Sequence, residues 1–154
     1  MASLPGTTIL DGGVCRAGLE STIVALRDNG TWQILRPGPI EAKLLEDVLG
    51  RPPQDEARGI EAPGQLARHY APGKPLRLDA SEAEEDEYLI GFGGVAGDCS
   101  LSEKGDPAEA AARLYECLHV AAASAKPRIA VAPVPAEGMG EAINDRLRRA
   151  AQPE

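Results

Sequence analysis

A proline-rich stretch, residues 51–75, contains side chains whose types suit ligand binding. It includes the run Arg68-His69-Tyr70-Ala71-Pro72. An arginine guanidinium offers a forked donor to phosphate oxygens, and a tyrosine ring stacks or hydrogen-bonds at little cost in side-chain entropy. A segment stiffened by prolines and carrying such groups is suited to lie over a binding site. Its composition fits a plain spacer equally well, so these residues alone leave a linker and a lid both open.

A second candidate site is Gly138-Met139-Gly140, between an apolar run typical of a buried strand and the start of a predicted helix. Free backbone N–H groups at such a position can bind an anion. The third glycine and the acidic residue of a dinucleotide-binding motif are missing, which favours an ordinary tight turn over a nucleotide site. His119 falls on the polar side of another predicted helix and is interpreted as a surface residue.

Composition excludes several classes of function. The three cysteines, Cys15, Cys99 and Cys117, lack the spacing of a zinc site or a disulfide framework and fit a reducing cytoplasm. The 154 residues carry a net charge of −8 and only 3% aromatic residues, which disfavours direct nucleic-acid binding. The sequence shows neither a signal peptide at its start nor an apolar run of about 20 residues, so no membrane contact is expected.

The elements that must position these residues form two blocks. In the first block, Ile9-Leu10 predicts a short strand, and residues 21–36 predict a β-hairpin that reverses at Asp28-Asn29-Gly30. A helix is predicted from about Pro39. Its apolar face consists of Ile40, Leu44, Leu45 and Val48. These elements are too few to bury a core alone, so the block packs either on the second block or on something outside the chain.

The second block, residues 76–151, predicts alternating strands and helices. The acidic run from Glu82 to Glu87 is interpreted as a solvated surface segment. Asp106 and Pro107 predict a helix start, and Arg128–Val134 predicts a buried parallel strand. Three arginines of the last helix are expected to satisfy its carboxyl end and to pair with Asp145; they are Arg146, Arg148 and Arg149. The alternation predicts a small, open, mostly parallel α/β sheet.

Several motifs follow one another in a recognisable order. They are Asp11-Gly12-Gly13, Gly18-Leu19-Glu20-Ser21-Thr22-Ile23-Val24, Ile34-Leu35-Arg36-Pro37-Gly38, Ala62-Pro63-Gly64, the Arg68–Pro72 run and Gly140-Glu141-Ala142-Ile143-Asn144-Asp145-Arg146-Leu147-Arg148-Arg149-Ala150-Ala151. Together they resemble the C-terminal part of the two-domain threonylcarbamoyl-AMP synthases, which begin with a YrdC-type domain. The resemblance implies three parts: residues 1–50 as the end of the YrdC-type α/β domain, 51–75 as an interdomain linker and lid, and 76–154 as a Rossmann-like C-terminal domain.

The resemblance also implies a function. Enzymes of this family convert L-threonine, bicarbonate and ATP into threonylcarbamoyl-AMP and pyrophosphate, for threonylcarbamoyladenosine formation in tRNA. Ser21 matches the serine that binds L-threonine, while Arg36 and Tyr70 match residues that bind ATP. Supporting roles fall to Glu20, Thr22 and His69. The resemblance implies ATP with Mg²⁺ as substrate, no tightly bound cofactor and no metal site in the protein.

This chain departs from the family pattern in one respect. The family's Lys-x-Arg and Ser-x-Asn motifs, which belong to the earlier part of the YrdC domain, do not occur before Asp11. We therefore assign no catalytic residue and expect the chain alone to be inactive, with a missing N-terminal YrdC domain as its partner. The alternative is a non-catalytic module that binds a partner or a nucleotide, or that self-associates through exposed strand edges.

Overall fold

The computed structural model of the chain describes residues 8, 10, 12–13, 17–54, 59–63 and 71–152. Ile9 of the strand expected at Ile9-Leu10 and the site residues His69 and Tyr70 lie outside the described residues, whereas the described Leu10 is exposed and not part of a strand. The described elements, in chain order, are β1 (Ile23–Leu26), β2 (Trp32–Arg36), α1 (Ala42–Leu49), β3 (Leu76–Arg77), β4 (Glu87–Gly91), β5 (Cys99–Ser100), α2 (Pro107–Ala123), β6 (Arg128–Val131) and α3 (Met139–Ala150). The α/β fold expected from the sequence is confirmed.

The four-stranded sheet has the order β3-β6-β4-β5, and its three strand pairs are parallel. Strand β6 lies in the interior of the sheet, and its Ile129, Ala130 and Val131 are buried. Ile129 and Val131 face the main core formed with α2 and α3, whereas Ala130 packs with Leu89 and Ala80 in a smaller cluster. A strand covered on both faces explains why its sequence is continuously apolar.

The start of α2 follows the sequence prediction. Asp106 Oδ1 accepts a hydrogen bond from the Ala108 backbone N–H at 2.8 Å, with Pro107 in the first turn. Glu109 is linked to this cap through the buried hydroxyl of Ser102. That hydroxyl donates to Glu109 Oε2 at 2.6 Å and accepts from the Asp106 backbone N–H at 3.0 Å. A side chain from the loop after β5 thus fixes where the helix begins.

The interpretation of the acidic run as a solvated segment is wrong for its last member. Glu87 begins β4 and is only 1% exposed. Arg77 of β3 donates to its carboxylate at 2.9 and 2.5 Å, and Arg128 of β6 lies 3.2 Å from it. The Arg77 bond lowers the pKa of Glu87 to about 2 because it favours the ionised form. Glu87 therefore joins the amino ends of three strands.

Helix α1 has the apolar face that the sequence predicts, but no described residue of the second block covers that face. Ile40, Leu44 and Val48 are 53%, 58% and 83% exposed, and α1 contains no buried residue. Its carboxyl end is anchored by Trp32, which is 1% exposed and donates from Nε1 to the Arg51 carbonyl at 2.9 Å. The first block does pack on the second block elsewhere, because Leu19 is buried in the main core with α2 and α3, but the apolar face of α1 takes no part in that contact.

Candidate functional site

The hairpin brings Ser21 and Arg36 together. Arg36, at the end of β2, is 9% exposed and donates from Nε and Nη2 to the Ser21 carbonyl at 3.1 and 3.0 Å. Nη2 also lies 3.3 Å from Ser21 Oγ, and Nη1 lies 3.4 Å from the Pro63 carbonyl of the connector. The Ser21 hydroxyl that accepts from Arg36 keeps its own hydrogen to donate to a ligand. The two predicted site residues therefore form one polar group beside the connector.

Thr22 holds the turn that follows Arg36. Its Oγ1 donates to the Ile40 carbonyl at 2.9 Å and accepts from the Ile40 backbone N–H at 3.0 Å. The turn passes so close to the start of β1 that a Cβ on Gly38 would stand 2.3 Å from the Thr22 backbone nitrogen. These contacts make Thr22 a positioning residue for the segment after Arg36.

The environment of Arg146 differs from the one that the sequence predicts for the arginines of the last helix. Arg146 does not lie at a solvated helix end but is fully buried, and it donates from Nε to Glu20 Oε2 at 3.1 Å and from Nη1 to the Pro37 carbonyl at 2.9 Å. Tyr115 of α2 donates to the same Glu20 carboxylate at about 3.0 Å. Asp145 accepts from Arg146 at 2.9 Å and also pairs with Arg149, as expected.

Arg146 thereby reaches both segments that carry the predicted site residues. Glu20 immediately precedes Ser21, and Pro37 immediately follows Arg36. The second block consequently fixes the backbone on both sides of the Ser21–Arg36 pair. The helical spacing of the sequence could have predicted that Arg146 is buried. Arg146 lies three residues after Ile143 and four before Ala150, and both of these residues are buried, so all three share one face of α3.

A cavity of about 410 Å³ opens next to this cluster. Its described lining consists of Glu20, Ala71, Pro72, Tyr115, Leu118 and His119. His119 is exposed, as expected from the sequence. The cavity has apolar walls and one carboxylate, Glu20, which is already engaged by Arg146 and Tyr115. This arrangement suits a partly apolar ligand or side chain.

The Gly138-Met139-Gly140 segment forms a tight turn. A Cβ on Gly140 would stand 1.8 Å from the Pro135 carbonyl oxygen, and Gly138 has φ +58°. The Glu41 carboxylate lies so near Gly138 that a Cβ there would be 2.9 Å from its Oε1. A negative charge at this helix start opposes a bound phosphate, so the geometry favours the turn over a nucleotide site.

The described residues contain no group of three or more His, Cys, Asp or Glu side chains arranged to hold a metal ion. Within the same residues, none of the helices has the length and apolar character needed to cross a membrane.

The chain is similar to known proteins over most of its length. Residues 40–152 match the family model described as threonylcarbamoyl-AMP synthase, C-terminal domain. A threonylcarbamoyl-AMP synthase of Pyrococcus abyssi is 30% identical over 168 residues, covering 93% of this chain and 48% of the relative. One from Bacillus subtilis is 33% identical over 87 residues, covering 53% of this chain and 25% of the relative.

A solved structure is similar as well. The crystal structure of P. abyssi Sua5 complexed with L-threonine gives a TM-score of 0.74 at 26% identity, covering 92% of this chain and 48% of that one. The chain therefore spans about half the length of the P. abyssi protein. The similarity to this crystal structure covers more of the chain than the family model, which matches residues 40–152. It therefore includes part of the segment before residue 40, where the hairpin lies.

Proposed function

The chain belongs to the threonylcarbamoyl-AMP synthase family, and from this we propose that it is the C-terminal part of an enzyme that makes threonylcarbamoyl-AMP and pyrophosphate from L-threonine, bicarbonate and ATP. The product would serve the formation of threonylcarbamoyladenosine in tRNA. Support comes from the match to residues 40–152 and from the similarity to a structure complexed with L-threonine. The reaction belongs to the whole enzyme, of which this chain supplies one part.

The observation that carries the proposal is the environment of Arg36. Among the described residues, its guanidinium hydrogen-bonds to neutral oxygens of Ser21 and Pro63. An arginine held in place by neutral acceptors retains its full charge for a phosphate, whereas one paired with a carboxylate would not. We assign Arg36 to the phosphates of ATP and the neighbouring Ser21 hydroxyl to L-threonine, so that one hydrogen-bonded pair orients both substrates.

The remaining predicted residues receive supporting roles. Thr22 and Glu20 keep the backbone around Ser21 and Arg36 in position through the contacts described above. Tyr70 and His69 lie outside the described residues; we propose that the connector folds over the nucleotide there. Excluding water in this way would protect threonylcarbamoyl-AMP, a mixed anhydride that water hydrolyses.

We further propose that these residues do not catalyse the reaction without the rest of a YrdC-type domain. The exposed apolar face of α1, formed by Ile40, Leu44 and Val48, is of the kind that a neighbouring domain part covers. The same face supports the alternative function, a non-catalytic module that binds a partner protein, or a second copy of the chain. Nucleotide binding at Gly138 and Gly140 is disfavoured by the Glu41 carboxylate.

A fusion tests the two residue roles. In it, this chain replaces the segment of the P. abyssi relative with which it aligns, and pyrophosphate release is measured against each substrate. We expect Ser21→Ala to raise the KM for L-threonine roughly tenfold while the KM for ATP changes little, because one hydrogen bond to a charged substrate is lost. Arg36→Lys should raise the KM for ATP by a similar factor, since lysine lacks the fork.

The matched control is Arg51→Lys, an exposed arginine at the start of the connector, which should leave both KM values unchanged. If Ser21→Ala raised both KM values equally, or if Arg36→Lys behaved like Arg51→Lys, the assigned roles would be wrong.

A further inference from the structure

Two cysteines of the second block stand next to each other outside the site described above. Cys99 lies on β5 and is partly buried, whereas Cys117 lies on α2 and is only 1% exposed. Cys117 Sγ donates to the carbonyl of Ser100, the residue next to Cys99, at 3.7 Å, and Cys99 packs against the core cluster that contains Cys117. Both thiols are free rather than joined in a disulfide. The edge strand and the long helix are thus in contact through two oxidisable groups.

Cys99 is the member of this pair that a small molecule can reach. It lines a cavity of about 570 Å³ at the carboxyl ends of β4 and β5. The cavity wall also includes the loop 93–97, Asp98, Ser100, Glu103 and Arg113. Cys117 is absent from this wall and lies in the core beside Cys99. One thiol therefore faces the cavity and the other stands behind it.

The surroundings of Cys99 favour its thiolate. The neighbouring Cys117 and Tyr88 side chains and the positive charge of Arg113 lower the pKa of Cys99 to about 7, against the effects of burial and of Asp98. The neighbouring Cys99, together with burial, raises the pKa of Cys117. Near neutral pH, Cys99 is therefore the more readily ionised thiol of the two.

We propose that Cys99 is a peroxide-reactive thiol and that Cys117 resolves its oxidised form into a Cys99–Cys117 disulfide. The Cys99 thiolate attacks one oxygen of a hydroperoxide and breaks the O–O bond. This gives a sulfenic acid and a hydroxide or alkoxide, which takes up a proton. Cys117 then attacks the Cys99 sulfur, the S–S bond forms, the S–O bond breaks, and hydroxide leaves with the Cys117 proton as water. Two thiols lose two electrons and two protons, and the peroxide gains them.

The disulfide would connect β5 to α2 and constrain the segment between residues 99 and 117. Such a cross-link restricts the unfolded chain and raises thermal stability when its native geometry is unstrained. This inference is independent of the proposed function, because none of its residues contacts the Ser21–Arg36 pair in the described structure.

The test uses the whole chain with Cys15→Ser, so that only the two thiols remain. After treatment with hydrogen peroxide, we expect the count of free thiols to fall from two to none. The protein mass should fall by two hydrogens, and peptide mapping should join residues 99 and 117. In Cys117→Ala the reaction should stop at a sulfenic acid that dimedone traps at residue 99. In Cys99→Ser, Cys117 should remain unoxidised.

A second measurement avoids any dependence on how these variants fold. In the protein that retains both thiols, iodoacetamide at pH 7 should label Cys99 at least roughly tenfold faster than Cys117. Retention of both thiols after peroxide, disulfides between chains only, or faster labelling at Cys117 would each overturn the proposal.

Discussion

Replacing Arg146 with methionine is expected to lower the free energy of unfolding by about 2 to 4 kcal/mol. Methionine fills a similar volume but leaves the Glu20 carboxylate and the Pro37 carbonyl without their donors from α3. Removing one partner of a buried ion pair is costly because the other charge stays desolvated. The expected loss is below that of a fully buried pair because the Glu20 side chain is 33% exposed. Urea unfolding measures it.

The matched control is Arg149→Met, one turn further along α3. Arg149 is 20% exposed and pairs with Asp145, which keeps its bond to Arg146 after the substitution. A change of less than about 1 kcal/mol is expected for this control. Hydrogen exchange should also become faster in β1 and β2 for Arg146→Met only, because Arg146 holds the segments that flank them. Equal effects of the two substitutions would show that Arg146 does not connect the blocks.

Replacing Gly140 with alanine is expected to cost about 3 kcal/mol or more. The new Cβ would stand 1.8 Å from the Pro135 carbonyl oxygen, so the backbone around the start of α3 must move. Thermal unfolding in the absence of any ligand measures this effect. The result would identify Gly140 as a residue of the turn, independently of whether the protein binds a nucleotide.

Gly94→Ala is the control for the glycine substitution. Apart from its two chain neighbours, no described residue has an atom within 4 Å of a Cβ at Gly94, and the φ of Gly94 lies outside the left-handed region. This substitution should change the stability by less than about 1 kcal/mol, in either direction. A Gly140→Ala variant as stable as Gly94→Ala would contradict the close approach of Gly140 to Pro135.

The features that the sequence predicts correctly depend on neighbouring residues. Three such features are the hairpin turn at Asp28-Asn29-Gly30, the cap at Asp106 and the buried strand β6. Each is determined by residues only a few positions away in the sequence. The Ser21–Arg36 pair also follows from a local element, since a hairpin brings its two ends together. Such short-range signals are sufficient to place the elements and to suggest the fold class.

The features that the sequence does not reveal depend on distant partners. Arg146 meets Glu20 across 126 positions of sequence, and Glu87 meets arginines on β3 and β6. From the sequence alone, a charged residue is interpreted as solvent-exposed, because the distant residue that neutralises it cannot be identified. For α1, the sequence predicts an apolar face, but only the structure shows that this face is exposed. Tertiary packing rather than local propensity decides each of these cases.

The most direct test of the proposed function is pyrophosphate release with ATP, L-threonine and bicarbonate. It compares the 154-residue chain alone with the fusion to the P. abyssi relative, after circular dichroism has shown that both are folded. The proposed function predicts no release above background by the chain alone and turnover by the fusion. Turnover by the chain alone would contradict the need for groups outside it. A folded but inactive fusion would contradict the assignment of this chain to the enzyme.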